Sequence, residues 1–315
     1  MKKKFIYFIL MLILGINIYS KDKIKVVAPD GLPALSLVKM INEKPQIDGV
    51  DIEYKIEKLS ESLVMTLMKK DADIAIIPSN LAGQLYNKGL GYKIGGTVGW
   101  GSFYVISREN FDSLKDLKGK EIETIGKGLT PDIILQTLLK KNGLDLSKDI
   151  KIDYLSSGNE LAPLYLSGKK DIVVIAEPMA SKILSKDKNS KINVELNQEW
   201  KNLFNVAKGY PQSTLVVSED VLKENPNFLN EFIKDLKDSI DFVKSSDNKR
   251  IEYISKAQIT LPKDIVDEAI KKANFDFTTG AEGKDEYMIY FREIAENNKK
   301  AIGGKIPDEE IFISK

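Results

Sequence analysis

Residues 25–80 return at 123–178, displaced by 98 positions without a gap. Val27 falls on Ile125, Pro33 on Pro131, Leu37 on Leu135, Asp51 on Asp149, Asp73 on Asp171 and Ile77 on Ile175. Both stretches carry the same succession of short β-rich runs and helical patterns, as two strand–helix–strand units of one kind would. The pattern predicts an α/β chain whose two similar lobes face a cleft.

Strands are expected at 24–28, 50–56, 73–77, 103–107, 121–125, 150–154, 171–175 and 214–217, several of them apolar almost throughout, as sheets covered on both faces require. Helical spacing separates them, for example Leu35, Val38 and Ile41, or Leu63, Leu67 and Met68. This alternation predicts mostly parallel sheets with right-handed crossovers. After Val217 the pattern reads as helix to the end, with Asn225 and Pro226 as cap and first position, a restart at Pro262 and a last helix over 282–300. Packed back on the first lobe, these helices would make it discontinuous, giving 21–105 plus 210–315 as lobe 1 and 106–209 as lobe 2. The crossings are expected near 103–108 and 207–213.

The first 20 residues read as an export signal, with Lys2, Lys3 and Lys4, an apolar run over 5–16 and a polar end at Ser20. The run is too short to span a bilayer, so cleavage after Ser20 is expected. Without cysteine there is neither a disulfide nor a residue for lipid attachment, so the expectation is a free periplasmic protein and not a lipoprotein. Cleavage removes three lysines and no acid, turning a net charge of +1 into −2. Such a balance gives no electrostatic footprint for nucleic acid.

The chain has no histidine and no cysteine. That removes Ser-His-Asp and Cys-His catalysis and ordinary zinc sites, and no catalytic residue, metal site or cofactor is expected. The glycines at 89, 91, 95 and 96 match neither the dinucleotide fingerprint nor the phosphate loop and read as a turn before a strand.

Ligands of such sheets bind beyond the carboxyl ends of the strands. In the first lobe that selects Asp30, Gly31 and Leu32, then Ser60, then Ser79 and Asn80. In the second it selects Gly126, Lys127, Gly128, Leu129 and Thr130, then Ser156, Ser157 and Gly158, then Glu177. The serines serve equally well as helix caps, and Glu177 equally well as an acid at a helix start. As a ligand contact, Glu177 would hold an amine or amidine. Trp100 and Tyr210, near the two crossings, are candidates for stacking on a flat ligand or for packing between the lobes.

Five segments in order, 71–80 (DADIAIIPSN), 114–120 (LKDLKGK), 126–131 (GKGLTP), 175–178 (IAEP) and 303–312 (GGKIPDEEIF), resemble the NMT1/THI5-like solute-binding proteins of ABC importers, a group that includes sulfonate, taurine and thiamine-precursor binders. The resemblance implies a type II periplasmic-binding fold, a monomer that closes over one small polar or heteroaromatic nutrient and delivers it to a membrane permease with its ATPase subunit. The first loop, with Asp30 and Pro33, is less glycine-rich than in many relatives, which leaves ligand identity open. The alternatives are an enzyme on the same fold, such as a pyrimidine synthase or small-acid lyase, and a membrane-anchored sensory domain.

Overall fold

The computed structural model describes residues 23–155 and 157–314. The export signal expected over 1–20 lies outside them. Among the described residues no helix is long and apolar enough to cross a membrane.

The strands are β1 (Lys23–Pro29), β2 (Gln46–Ile47), β3 (Val50–Glu57), β4 (Ile74–Pro78), β5 (Tyr92–Trp100), β6 (Phe103–Ser107), β7 (Glu121–Ile125), β8 (Lys151–Leu155), β9 (Ile172–Ala176), β10 (Lys191–Glu195), β11 (Pro211–Ser218) and β12 (Phe275–Thr279). They form a seven-stranded sheet in the order β12-β5-β11-β4-β1-β3-β2 and a five-stranded sheet in the order β10-β6-β9-β7-β8. Displacing β4 by 98 positions gives β9, and the same displacement carries the helix Ser60–Met68 onto the helix Gly158–Leu166. The triads β3-β1-β4 and β8-β7-β9 are both parallel. The repeat read from the sequence is thus a repeat of topology.

The expectation of mostly parallel sheets is corrected outside these triads. β6 runs antiparallel to β9, and β11 runs antiparallel to β4. These two are the strands the chain lays down as it arrives from the other lobe, and their direction is set by the crossing. Because β6 lies whole in the second sheet, the first crossing falls at Gly101 and Ser102, ahead of the expected 103–108. The chain returns through 205–210.

The expectation of helix from Val217 onward also fails at β12, a five-residue strand that pairs with β5. It explains the glycine cluster. Gly89 and Gly91 turn the chain in the left-handed region, but Gly95 and Gly96 lie inside β5. A Cβ on Gly96 would stand 2.5 Å from the carbonyl oxygen of Thr278 and 2.8 Å from the Phe277 ring, so only glycine lets β12 approach. The long helix begins at Phe228 as the spacing requires, although Asn225 ends the preceding helix and Asn227 takes the cap position. Its face of Phe228, Phe232, Leu236 and Ile240 is buried in the core of the first sheet.

The helix Lys284–Asn298 bridges the lobes. Tyr287 hydrogen-bonds Thr97 and Thr214 of the first sheet, at 2.9 and 2.6 Å. One turn on, Tyr290 reaches Thr130 of the second lobe at 3.1 Å, and Asn297 and Asn298 bond Thr137 and the Gly128 carbonyl, each at 3.0 Å. Buried Phe291 and Ile294 join the same apolar cluster as Leu135 and Leu138.

Candidate cleft between the lobes

Three cavities follow one another along the line where the lobes meet. The first, of about 370 Å³, is walled by Pro33, Leu81, Phe103, Leu129 and Pro131 and has no charged side chain in its lining. It shares Pro33, Gln212 and Ser213 with a second cavity of about 170 Å³ that includes Trp100 and Phe275. The second shares Asp30, Gly31, Glu177 and Pro178 with a third, of about 510 Å³, that adds Lys58, Asn159, Lys182 and Thr260. The shared residues make a continuous cleft, apolar at one end and charged at the other.

Local sequence sets the apolar end. The helices Ser60–Met68, Ser79–Asn87 and Thr130–Lys141 all begin there, presenting Ser60, Asn80 and Thr130. Their first-turn N–H groups have no acceptor within the helix. Pro131 fits the first turn because its missing N–H would be unused there. The loop ahead of it, with Gly126 and Gly128 in the left-handed region, is tied down by buried Asp132. That carboxylate accepts from the Gly128 N–H, the Tyr154 hydroxyl and the Gln136 amide, each at 2.7 Å. Thr130 then donates across the lobe boundary to Asn80 Oδ1 at 3.2 Å.

At the charged end, Asp30 leaves β1 and accepts from the backbone of Gly31 and Thr260 and from Lys58 at 3.0 Å. Burial opposes its ionisation, but the hydrogen bonds from Thr260, Lys58 and Gly31 outweigh it and hold the carboxyl below its ordinary value. Glu177 leaves β9 and is only 6 % exposed. Its oxygens accept from the Ser181 hydroxyl at 3.0 Å and the Ser181 N–H at 3.3 Å. Burial dominates these bonds and pushes its carboxyl up to about 7.

Of the residues singled out from sequence, Asp30, Gly31, Leu32, Ser60, Asn80, Trp100, Leu129, Thr130, Gly158 and Glu177 line the cleft. Ser79 does not line these cavities. It is fully buried and bonds Thr214 at 2.6 Å beneath the floor. Lys127 sits over the Tyr154 ring at 5.3 Å, and Gly126 and Gly128 shape the loop without lining a cavity. Ser157 caps its helix by accepting from Glu160 N–H, and Ser156 lies outside the described residues. Tyr210 is fully buried, edge-on to Trp200 and stacked on Phe103, and packs the crossing rather than lining a cavity.

Sequence reasoning missed Phe103, Gln212 and Ser213 as cleft residues. Gln212 and Ser213 open β11 just past the second crossing and Phe103 opens β6 just past the first, so position relative to strand ends could have found them. Lys58 directly follows β3 and carried the same signal, whereas Lys182 and Thr260 carried none.

A family model described as NMT1/THI5 like matches residues 46–249. No curated protein matches the chain. Among solved structures, an ABC transporter from Parabacteroides distasonis is 24% identical, with 94% of this chain and 100% of that chain covered and a TM-score of 0.81. The periplasmic aliphatic sulphonate binding protein SsuA from Escherichia coli is 14% identical over 94% of this chain and 93% of its own, with a TM-score of 0.76. The alkanesulfonate-binding protein SsuA from Xanthomonas axonopodis pv. citri, bound to MOPS, is 16% identical over 92% and 96%, with a TM-score of 0.65. These likenesses show a periplasmic-binding-protein fold.

Proposed function

The chain belongs to the NMT1/THI5-like family, and from that premise we propose that it is the solute-binding component of an ABC importer. It acts in the periplasm as a monomer after cleavage near Ser20, takes one small molecule into the cleft and delivers it to a permease served by an ATPase subunit. The lobes, one built on the seven-stranded sheet and the other on the five-stranded sheet, move about the two crossings, and the ligand favours closure because it touches both. The binding proteins among the solved relatives support this reading over an enzyme.

The observation that carries it is that Asp30 and Glu177, from opposite lobes, line the same two cavities. Asp30 has its partners, whereas among the described residues Glu177 accepts only from Ser181 and suits a ligand that brings N–H donors. A small heteroaromatic amine, such as a thiamine or pyrimidine precursor, fits this better than a sulfonate, which would face two carboxylates. Native mass spectrometry of the protein purified from its source tests the reading. Release of a stoichiometric N–H-bearing molecule supports it, release of a sulfonate overturns the ligand class, and an empty protein unresponsive to nutrients overturns the binding role.

A further inference from the structure

The uncharged cavity is larger than the passage that joins it to the charged end, about 370 against 170 Å³. Its polar side chains are largely spent on one another. Thr130 donates to Asn80, and the amide nitrogens of Asn80 and Gln84 both bond the Ala301 carbonyl, at 3.1 and 2.9 Å. Beside Ser60, Gln212, Ser213 and the helix starts, a guest meets the hydrocarbon of Pro33, Leu81, Phe103, Leu129 and Pro131. Leu129 is 53 % exposed and faces this cavity, leaving a large apolar surface to be covered.

Resting on the solute-binding reading above, we propose that the ligand is amphipathic, with an N–H-bearing head at Glu177 and an apolar body that passes Gln212 and Ser213 to fill the uncharged cavity. A head without a body would leave that cavity empty. An alkanesulfonate seated on the three helix starts is the opposing arrangement.

Isothermal titration with methylamine, butylamine, hexylamine, 4-phenylbutylamine, taurine and hexanesulfonate tests this. Affinity of the native protein for the amines should rise about fourfold per methylene until the cavity is full. Leu129→Asp should flatten that dependence, with the smaller Leu129→Ser as a second variant should the first fail to fold. Glu177→Gln should weaken all the amines by a similar factor and leave the slope intact. Affinity independent of chain length, or hexanesulfonate or taurine bound more tightly than hexylamine, would overturn the inference and leave the binding role standing. Failure of every probe, in a protein that also carries no molecule from its source, removes both.

Discussion

Asp30 and Glu177 line the same cavities from opposite lobes, yet their carboxyls are driven apart, Asp30 below its ordinary value and Glu177 up to about 7. Among the described residues Asp30 accepts from a lysine and two backbone N–H groups, whereas Glu177 accepts from one serine and is 6 % exposed. Two acids in one cleft are thus held differently, Asp30 by its hydrogen-bond donors and Glu177 by burial.

Stability should therefore depend on pH through Glu177. Its ordinary value is 4.5, so the folded protein keeps the proton to higher pH than the unfolded chain, and the resulting stability, complete below 4.5, is lost as pH rises through 7. Glu177→Gln cannot ionise and should match the native protein at pH 4.5 but exceed it at pH 8, by about 3 kcal/mol. Urea denaturation at the two pH values checks this, and a difference that does not change with pH contradicts it.

Trp100→Ala would not be a clean test of ligand contact. The indole is 2 % exposed, and truncation should cost about 3–5 kcal/mol from the cavity it leaves. Trp100→Phe should retain most of that stability, and comparing the two variants by thermal denaturation separates packing from binding.

Tyr287→Phe should destabilise by about 1–3 kcal/mol, since it orphans the buried hydroxyl of Thr97 and strips a partner from Thr214. Chemical denaturation reads the loss. A neutral result would mean that the hydroxyl cluster does not hold the bridging helix.

Gly96→Ala should cost more than an ordinary alanine substitution in a strand, about 2 kcal/mol or more, because the Thr278 carbonyl and the Phe277 ring occupy the space. Amide exchange should show β12 opening first.

Replacing Asn297 and Asn298 together by Ala removes their bonds to Thr137 and Gly128 and should favour wider separation of the lobes. Small-angle scattering of the ligand-free variant should give a larger radius of gyration than the native protein, with a change in melting temperature of only a few degrees.

Alternation of strand and helix, the 98-residue repeat and the loops at strand ends were legible because they are written in local spacing: a helix repeats every 3.6 residues, a strand every two, and proline and glycine mark where each stops. What lay beyond reach depends on partners distant in sequence. The glycines of β5 dilute its β signal, and their purpose appears only when β12, nearly two hundred residues on, lies against them. Ser79 and Tyr210 look like site residues by position but are buried under neighbours supplied by Thr214 and Trp200. Glu177 was found from sequence as a charge at a strand end, but its displaced titration comes from burial, which only the packed cleft creates. Chain-local rules placed the loops, and tertiary contact decided which of them face the cleft.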